Sequence, residues 1–224
     1  MIAVRASTDG LEPPSEWVLR WSHLVAPGAR VLDLACGHGR HARWFAERGH
    51  PVLALDRNPA ALDALADLRD RSRVETVLAD IENHAWPLTR IRRAAPKSCT
   101  PSGGLAKPGL GALTSDAAPR QFDAVIVTNY LWRPLFPTIL RSLAPAGVLI
   151  YETFADGNAS VGKPARADFL LRTGELLSAC ARLRIVAFED GFAEQPDRFV
   201  QRIAAVRALA PASDAATGPP RYRL

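Results

Sequence analysis

Val31-Leu32-Asp33-Leu34-Ala35-Cys36-Gly37-His38-Gly39-Arg40 reads as a buried strand that runs straight into a glycine turn and then a helix. The apolar run ends at Leu34. Gly37 and Gly39 supply backbone without a Cβ where a ligand approaches closely or where φ must turn positive. The free N–H groups at the start of the following helix then point at whatever occupies the turn.

About twenty residues on, Val52-Leu53-Ala54-Leu55-Asp56 is a second apolar run that ends in a carboxylate, and Asn58-Pro59 opens another helix directly after it. An acid at the tip of the second strand can accept both hydroxyls of a ribose. Nicotinamide dinucleotides and S-adenosylmethionine are both bound in this way. A dinucleotide site favours a small residue where His41 and Ala42 begin the helix, and it has no need of Asp33.

The words around the glycines, Asp33-Leu34-Ala35-Cys36-Gly37-His38-Gly39-Arg40, resemble the nucleotide-binding turn of class I S-adenosylmethionine-dependent methyltransferases. The resemblance implies S-adenosylmethionine as cofactor, held by Asp33, Ala35, Cys36, Gly37, Gly39 and Arg40 at the turn and by Asp56 and Arg57 after the second strand. It puts Asp33 near the amino end of the methionine moiety. At the tip of a third strand, Arg73 to Ala79, it puts Asp80 against the exocyclic amine of adenine and Ile81 on the ring. Asn129 and Tyr130 complete the set at the end of the fourth strand. Gly157 to Leu177 is similar to the tellurite-resistance-type members of that family.

The chain has 224 residues, enough for one substantial core and most simply one domain. No run approaches the roughly twenty apolar residues that span a bilayer, and Met1 to Gly10 lacks the apolar stretch of a signal peptide, so a cytoplasmic protein is expected. Cys36, Cys99 and Cys180 show no Cys-x-x-Cys spacing and read as reduced thiols. His38 and His41 find no further Cys or His cluster to complete a tetrahedral site, so no metal is expected. The net charge of +5 is concentrated: residues 90–120 hold six of the 28 basic residues and one of the 23 acidic ones, which leaves 22 of each elsewhere.

Beyond the two decisive strands the pattern stays βα. Met1 to Gly10 reads as a flexible lead to a domain over 11–208. Pro14-Ser15 starts a helix with Trp17, Val18, Trp21 and Leu24 at helical spacing, set to pack in the core or to help close the cofactor site. Ala61, Leu62, Leu65 and Leu68 stripe the helix after Pro59. Residues 90–120, with Pro96, Pro101, Pro108 and Pro119 and no apolar period, read as a disordered insertion. It contains no aromatic residue on which a base could stack, so nucleic acid is not expected as a partner. Phe122 to Val127 is a continuous apolar run suited to a central parallel strand. Ala144-Pro145-Ala146-Gly147 turns into a fifth strand, Val148 to Tyr151, where the family more often has two glycines. Leu183 to Glu189 and Phe199 to Ala208 form a closing hairpin, and 209–224 reads as a disordered tail.

The expected fold is therefore α/β: a doubly wound, mostly parallel seven-stranded sheet with a C-terminal antiparallel hairpin, the Rossmann-like methyltransferase arrangement. The expected activity is in-line transfer of the sulfonium methyl to a small-molecule acceptor, with Tyr130, Trp132 and Arg133 around the acceptor. Glu152, at the fifth strand tip, is set to contact the acceptor or serve as general base, with Tyr130 a second catalytic candidate. Two other readings use the same residues. One is an NAD-dependent oxidoreductase built on Gly37, Gly39, Ala42 and Asp56. The other is a non-catalytic scaffold that meets RNA or an acidic protein through 90–120.

Overall fold

A computed structural model describes residues 12–71, 73–89, 118–208 and 221–224. The residues read as a flexible lead (1–10), most of those read as a disordered insertion (90–120) and most of those read as a disordered tail (209–224) lie outside these. The sheet comprises β1 (Val31–Leu34), β2 (Val52–Asp56), β3 (Val74–Leu78), β4 (Phe122–Thr128), β5 (Leu143–Phe154), β6 (Arg184–Ala193) and β7 (Arg198–Val206) in the order β3-β2-β1-β4-β5-β7-β6. The first five are parallel, and β7 runs antiparallel to both β5 and β6. A parallel core covered on both faces requires strands that are apolar throughout, and β1 is buried at all four positions.

Alternation along each strand divides the core in two. Val31, Val52, Ala54, Val74, Ala124, Ile126, Val148 and Ile150 face α1 (Glu16–Trp21), α2 (Arg40–Glu47), α3 (Pro59–Asp63) and α4 (Ala66–Asp70), through Trp17, Phe45, Leu62 and Leu68 among others. Leu32, Leu34, Leu53, Leu55, Val125, Val127, Leu149 and Tyr151 face α5 (Phe136–Arg141) and α6 (Glu175–Ala179), through Ile139 and Leu176.

Several elements differ from their sequence reading. The helix expected from Pro59 through Leu68 is two, α3 and α4, and fully buried Leu65 at the break packs beneath the glycine turn: a Cβ on Gly39 would stand 2.5 Å from Leu65 Cδ2. Asn58 caps α3 by accepting the Ala60 N–H, with Pro59 at the first helical position. Helix α1 stops at Trp21, and Ser22–Leu24 form a 3-10 turn. Ala146 takes φ +61°, so the left-handed turn before the fifth strand persists with an alanine in it, and β5 begins already at Leu143. An isolated antiparallel bridge, Thr89 to Pro119, closes the two ends of the insertion. At the C-terminus Tyr222 packs on the α1 face of the core, and the Arg223 carbonyl lies 3.2 Å from His23 Nε2.

Candidate cofactor site

The carboxyl ends of β1 to β4 converge on a cavity of about 230 Å3 lined by Ala35, Leu55, Asp56, Arg57, Ala79, Asp80, Ile81, Glu82, Asn129 and Tyr130. Each strand continues into the site by a backbone hydrogen bond. Cys36 N–H donates to the Leu55 carbonyl, Ala79 N–H to that of Asp56, and Asn129 N–H to that of Glu152. Ala35 and Asn129 leave their strands at φ +53° and +54°, left-handed conformations for non-glycine residues. Such strain persists only where the surroundings over-determine it.

The two acids are anchored before any ligand arrives. Asp56 accepts the Gly37 N–H at 2.8 Å on one oxygen and the Asn58 N–H at 2.8 Å on the other, which joins the glycine turn to the tip of β2. Asp80 accepts from Glu82 N–H, Asn83 N–H and Asn83 Nδ2, and these bonds hold its carboxyl below the usual range. Each carboxylate retains lone pairs for a hydroxyl or amine. Tyr151 Oη donates to the Tyr130 carbonyl at 2.7 Å and fixes the loop after β4. Burial and the neighbouring Glu82 carboxylate push the Tyr130 phenol up.

The turn itself is more self-contained than its sequence suggests. The N–H groups of Gly37, Gly39 and Ala42 are taken by Asp56, the Cys36 carbonyl and Asp33. Asp33 is 1% exposed, is absent from the cavity lining, and serves under the turn; burial pushes its carboxyl up to about 7. Cys36 is buried, with its thiol pushed up. Arg40 leaves the cavity to pair with Glu12 at 3.0 Å and to donate to the Pro13 carbonyl. Gly37, at φ +53°, has no atom within 4 Å of where a Cβ would stand, so its open side is the one approach that glycine leaves clear.

Two acceptor-side expectations are corrected. Arg133 is not available to an acceptor: it donates to both Glu175 oxygens at 2.6 and 2.9 Å and to the carbonyls of Asp168 and Leu170. A guanidinium so fully engaged clamps the loop after β4 onto α6. Glu152 is 0% exposed and lies within β5; it accepts from Ser15 Oγ at 3.0 Å and pairs with Arg202 at 2.8 Å and Arg198 at 3.6 Å. It is an internal counter-ion, not a strand-tip base. Trp17 and Trp21, 2% and 1% exposed, pack in the core, the first of the two roles read from their helical spacing, and do not close the cofactor site. Trp132 alone of the acceptor set presents substantial free surface, at 37%.

Sequence reasoning missed Glu82, which lines the cavity and lies 3.8 Å from Arg57. Its signal was present, since it stands two residues past the acid at the third strand tip. It also missed His41. That ring is buried and accepts the Ser15 N–H on Nε2 at 3.0 Å, so its proton sits on Nδ1, directed at Thr128 Oγ1 3.4 Å away. Burial and Arg40 push the imidazole down to about 3. Among the described residues no cluster of three or more His, Cys, Asp or Glu could hold a metal, and no helix is long and apolar enough to cross a membrane.

Residues 31–92 match the Methyltransferase domain family. Solved structures with the same fold include TehB from Haemophilus influenzae, 16% identical over 85% of this chain with a TM-score of 0.56; the chain spans 61% of TehB's length. They also include a SAM-dependent methyltransferase from Methanosarcina mazei, 13% identical over 89% of this chain and all of its own, TM-score 0.59. A third is the N-methyltransferase NodS from Bradyrhizobium japonicum, 13% identical over 85% of this chain and 93% of its own, TM-score 0.57. No curated protein matches the sequence. The strand order with its antiparallel β7 is shared with these structures, and the family match covers the segment that carries the glycine turn and the tip of β2: the chain has the fold of class I S-adenosylmethionine-dependent methyltransferases.

Proposed function

We propose that the protein methylates a small-molecule acceptor by in-line displacement, with Asp56 taking the ribose hydroxyls, Asp80 the exocyclic amine of adenine and Ile81 one face of the ring. The observation that carries this reading is the cavity in which Asp56, Asp80, Ile81, Asn129 and Tyr130 meet. At about 230 Å3 it falls below the roughly 300–1,000 Å3 of sites for a whole drug-sized ligand. It accommodates the adenosine end of the donor, and the rest extends over the open side of Gly37. When bound, the donor supplies a methyl group already activated by its sulfonium.

The chain's own contribution is alignment and exclusion of water. Arg133 and Tyr151 hold the loop that carries Asn129, Tyr130 and Trp132, so Trp132 is the side chain best placed to cover an acceptor. Neither candidate base is free to act, since Glu152 is sealed in ion pairs and the Tyr130 phenol holds its proton tightly. That supports an acceptor atom that attacks with a lone pair it already has.

Thermal unfolding with S-adenosylmethionine, S-adenosylhomocysteine and NADH tests the donor assignment. A ligand at about a hundred times its Kd adds about 2.7 kcal/mol, and each kcal/mol moves Tm by about 2–4 °C for a chain of this size. The two adenosyl ligands are expected to raise Tm by about 5–10 °C and NADH to leave it unchanged, with the shift lost in Asp56→Ala. A shift with NADH alone overturns the assignment.

A further inference from the structure

A second cavity, of about 390 Å3, lies at the opposite end of the sheet from the donor site. It opens where β1 to β4 begin. Arg30, Arg73 and Arg120 stand at or just before the starts of β1, β3 and β4, and Arg69 comes from the end of α4. The floor is apolar, with Phe122 beneath the Arg120 guanidinium at 5.3 Å. Four arginines line it with one acid, Glu75.

Their partners are incomplete. Arg30 pairs with Asp123 at 3.3 Å and Arg120 with Glu75 at 3.0 Å, both at substantially exposed carboxylates. Arg73 reaches only the Ala46 carbonyl at 3.4 Å, and the Arg69 guanidinium has no partner among the described residues. Exposed arginines on one surface normally spread apart or alternate with acids, because like charges repel. Here four separate elements bring them to one walled hollow.

We propose that this cavity is a binding site for a small organic phosphate, separate from the methyl-donor site. Guanidinium forks match phosphate oxygens in paired hydrogen bonds. The excess of positive charge calls for a group with at least two negative charges, and the apolar floor suits an organic body. The volume falls within the range of small-molecule sites. Arg69 and Arg73 supply the free forks, while Arg30 and Arg120 exchange an exposed carboxylate for the ligand.

Calorimetric titration with inorganic pyrophosphate at about 150 mM salt, where long-range attraction is screened, tests the site on the full chain. One equivalent is expected to bind. Arg69→Ala/Arg73→Ala is expected to weaken binding tenfold or more, while Arg182→Ala/Arg184→Ala, which removes two exposed charges at the β6 edge of the sheet, changes it less than twofold. Circular dichroism melts of both double variants confirm that they fold. Absence of pyrophosphate binding, or equal loss in both double variants, overturns the proposal. So does binding of a single-stranded oligoribonucleotide without binding of pyrophosphate, which would make the surface a nucleic-acid contact.

Discussion

Asp33 and His41 sit eight positions apart on either side of the glycine turn, and burial acts on them in opposite electrical senses. The Asp33 carboxyl is pushed up to about 7, so between pH about 4 and about 7 the native state keeps a proton that the unfolded chain has lost, and stability falls as pH rises. The His41 imidazole is pushed down to about 3, so between about 3 and 6.5 the unfolded chain binds a proton that the native state refuses, and stability rises with pH. Over their shared window the two slopes offset each other. Urea unfolding as a function of pH is expected to expose each in turn. Asp33→Asn, which keeps an acceptor for the Ala42 N–H, leaves stability rising up to about pH 6.5. His41→Gln leaves it falling between about 4 and about 7. Parallel flat profiles in both variants would show that neither group is held as described. The acids at strand tips were legible in the sequence because position alone marks them. The inward turn of Asp33 was not, since an acid beside a glycine turn reads equally as ligand or as brace until the Ala42 N–H is seen to meet it.

Glu152 is where helix α1 and strands β5 and β7 are joined by charge. It takes a hydrogen bond from the Ser15 cap of α1 and sits between Arg198 and Arg202 of β7. Removal of one partner from a buried ion pair costs about 3–5 kcal/mol, because the remaining charge stays buried without its counterpart. Glu152→Ala is therefore expected to lower Tm by about 6–20 °C, with Glu152→Gln losing less because it still accepts from Ser15. A general base would behave differently, losing turnover at unchanged Tm. The elements were largely readable from apolar period, capping residues and glycine placement, as α2, β2 and the Asn58-Pro59 start of α3 illustrate. The split between α3 and α4 was not, because the stripe of Leu62, Leu65 and Leu68 continues across it; the break reflects how closely Leu65 approaches Gly39 in three dimensions. The engagement of Arg133 by Glu175 was equally hidden, since the pair lies 42 residues apart in sequence.

At the scale of the molecule, two cavities among the described residues lie at the two ends of one sheet, one at the carboxyl ends of the strands and an arginine-lined one at their amino ends. The fold was legible as a whole because four consecutive strand tips fell in order along the chain, and the terminal hairpin told a methyltransferase sheet from a dinucleotide one. The acceptor side was not, because its candidate residues are polar and aromatic side chains whose partners come from distant segments. The bridge from Thr89 to Pro119, supported by the Arg120 N–H donating to the Leu88 carbonyl at 2.8 Å, brings the two ends of the intervening segment together. Replacement of residues 90–118 by Asn-Gly, a two-residue hairpin turn, is expected to leave Tm and the S-adenosylhomocysteine shift unchanged. Loss of folding in that variant would show that the sheet depends on the segment.

The same bridge bears on descent as well as on engineering. Sequence inserted between two residues already in contact adds an entropic cost that grows only with the logarithm of its length. It leaves every strand register untouched. Lineages that carry this fold are thus free to lengthen, shorten or recompose the stretch between Thr89 and Pro119, and divergence in chain length among them is expected to accumulate at that joint first.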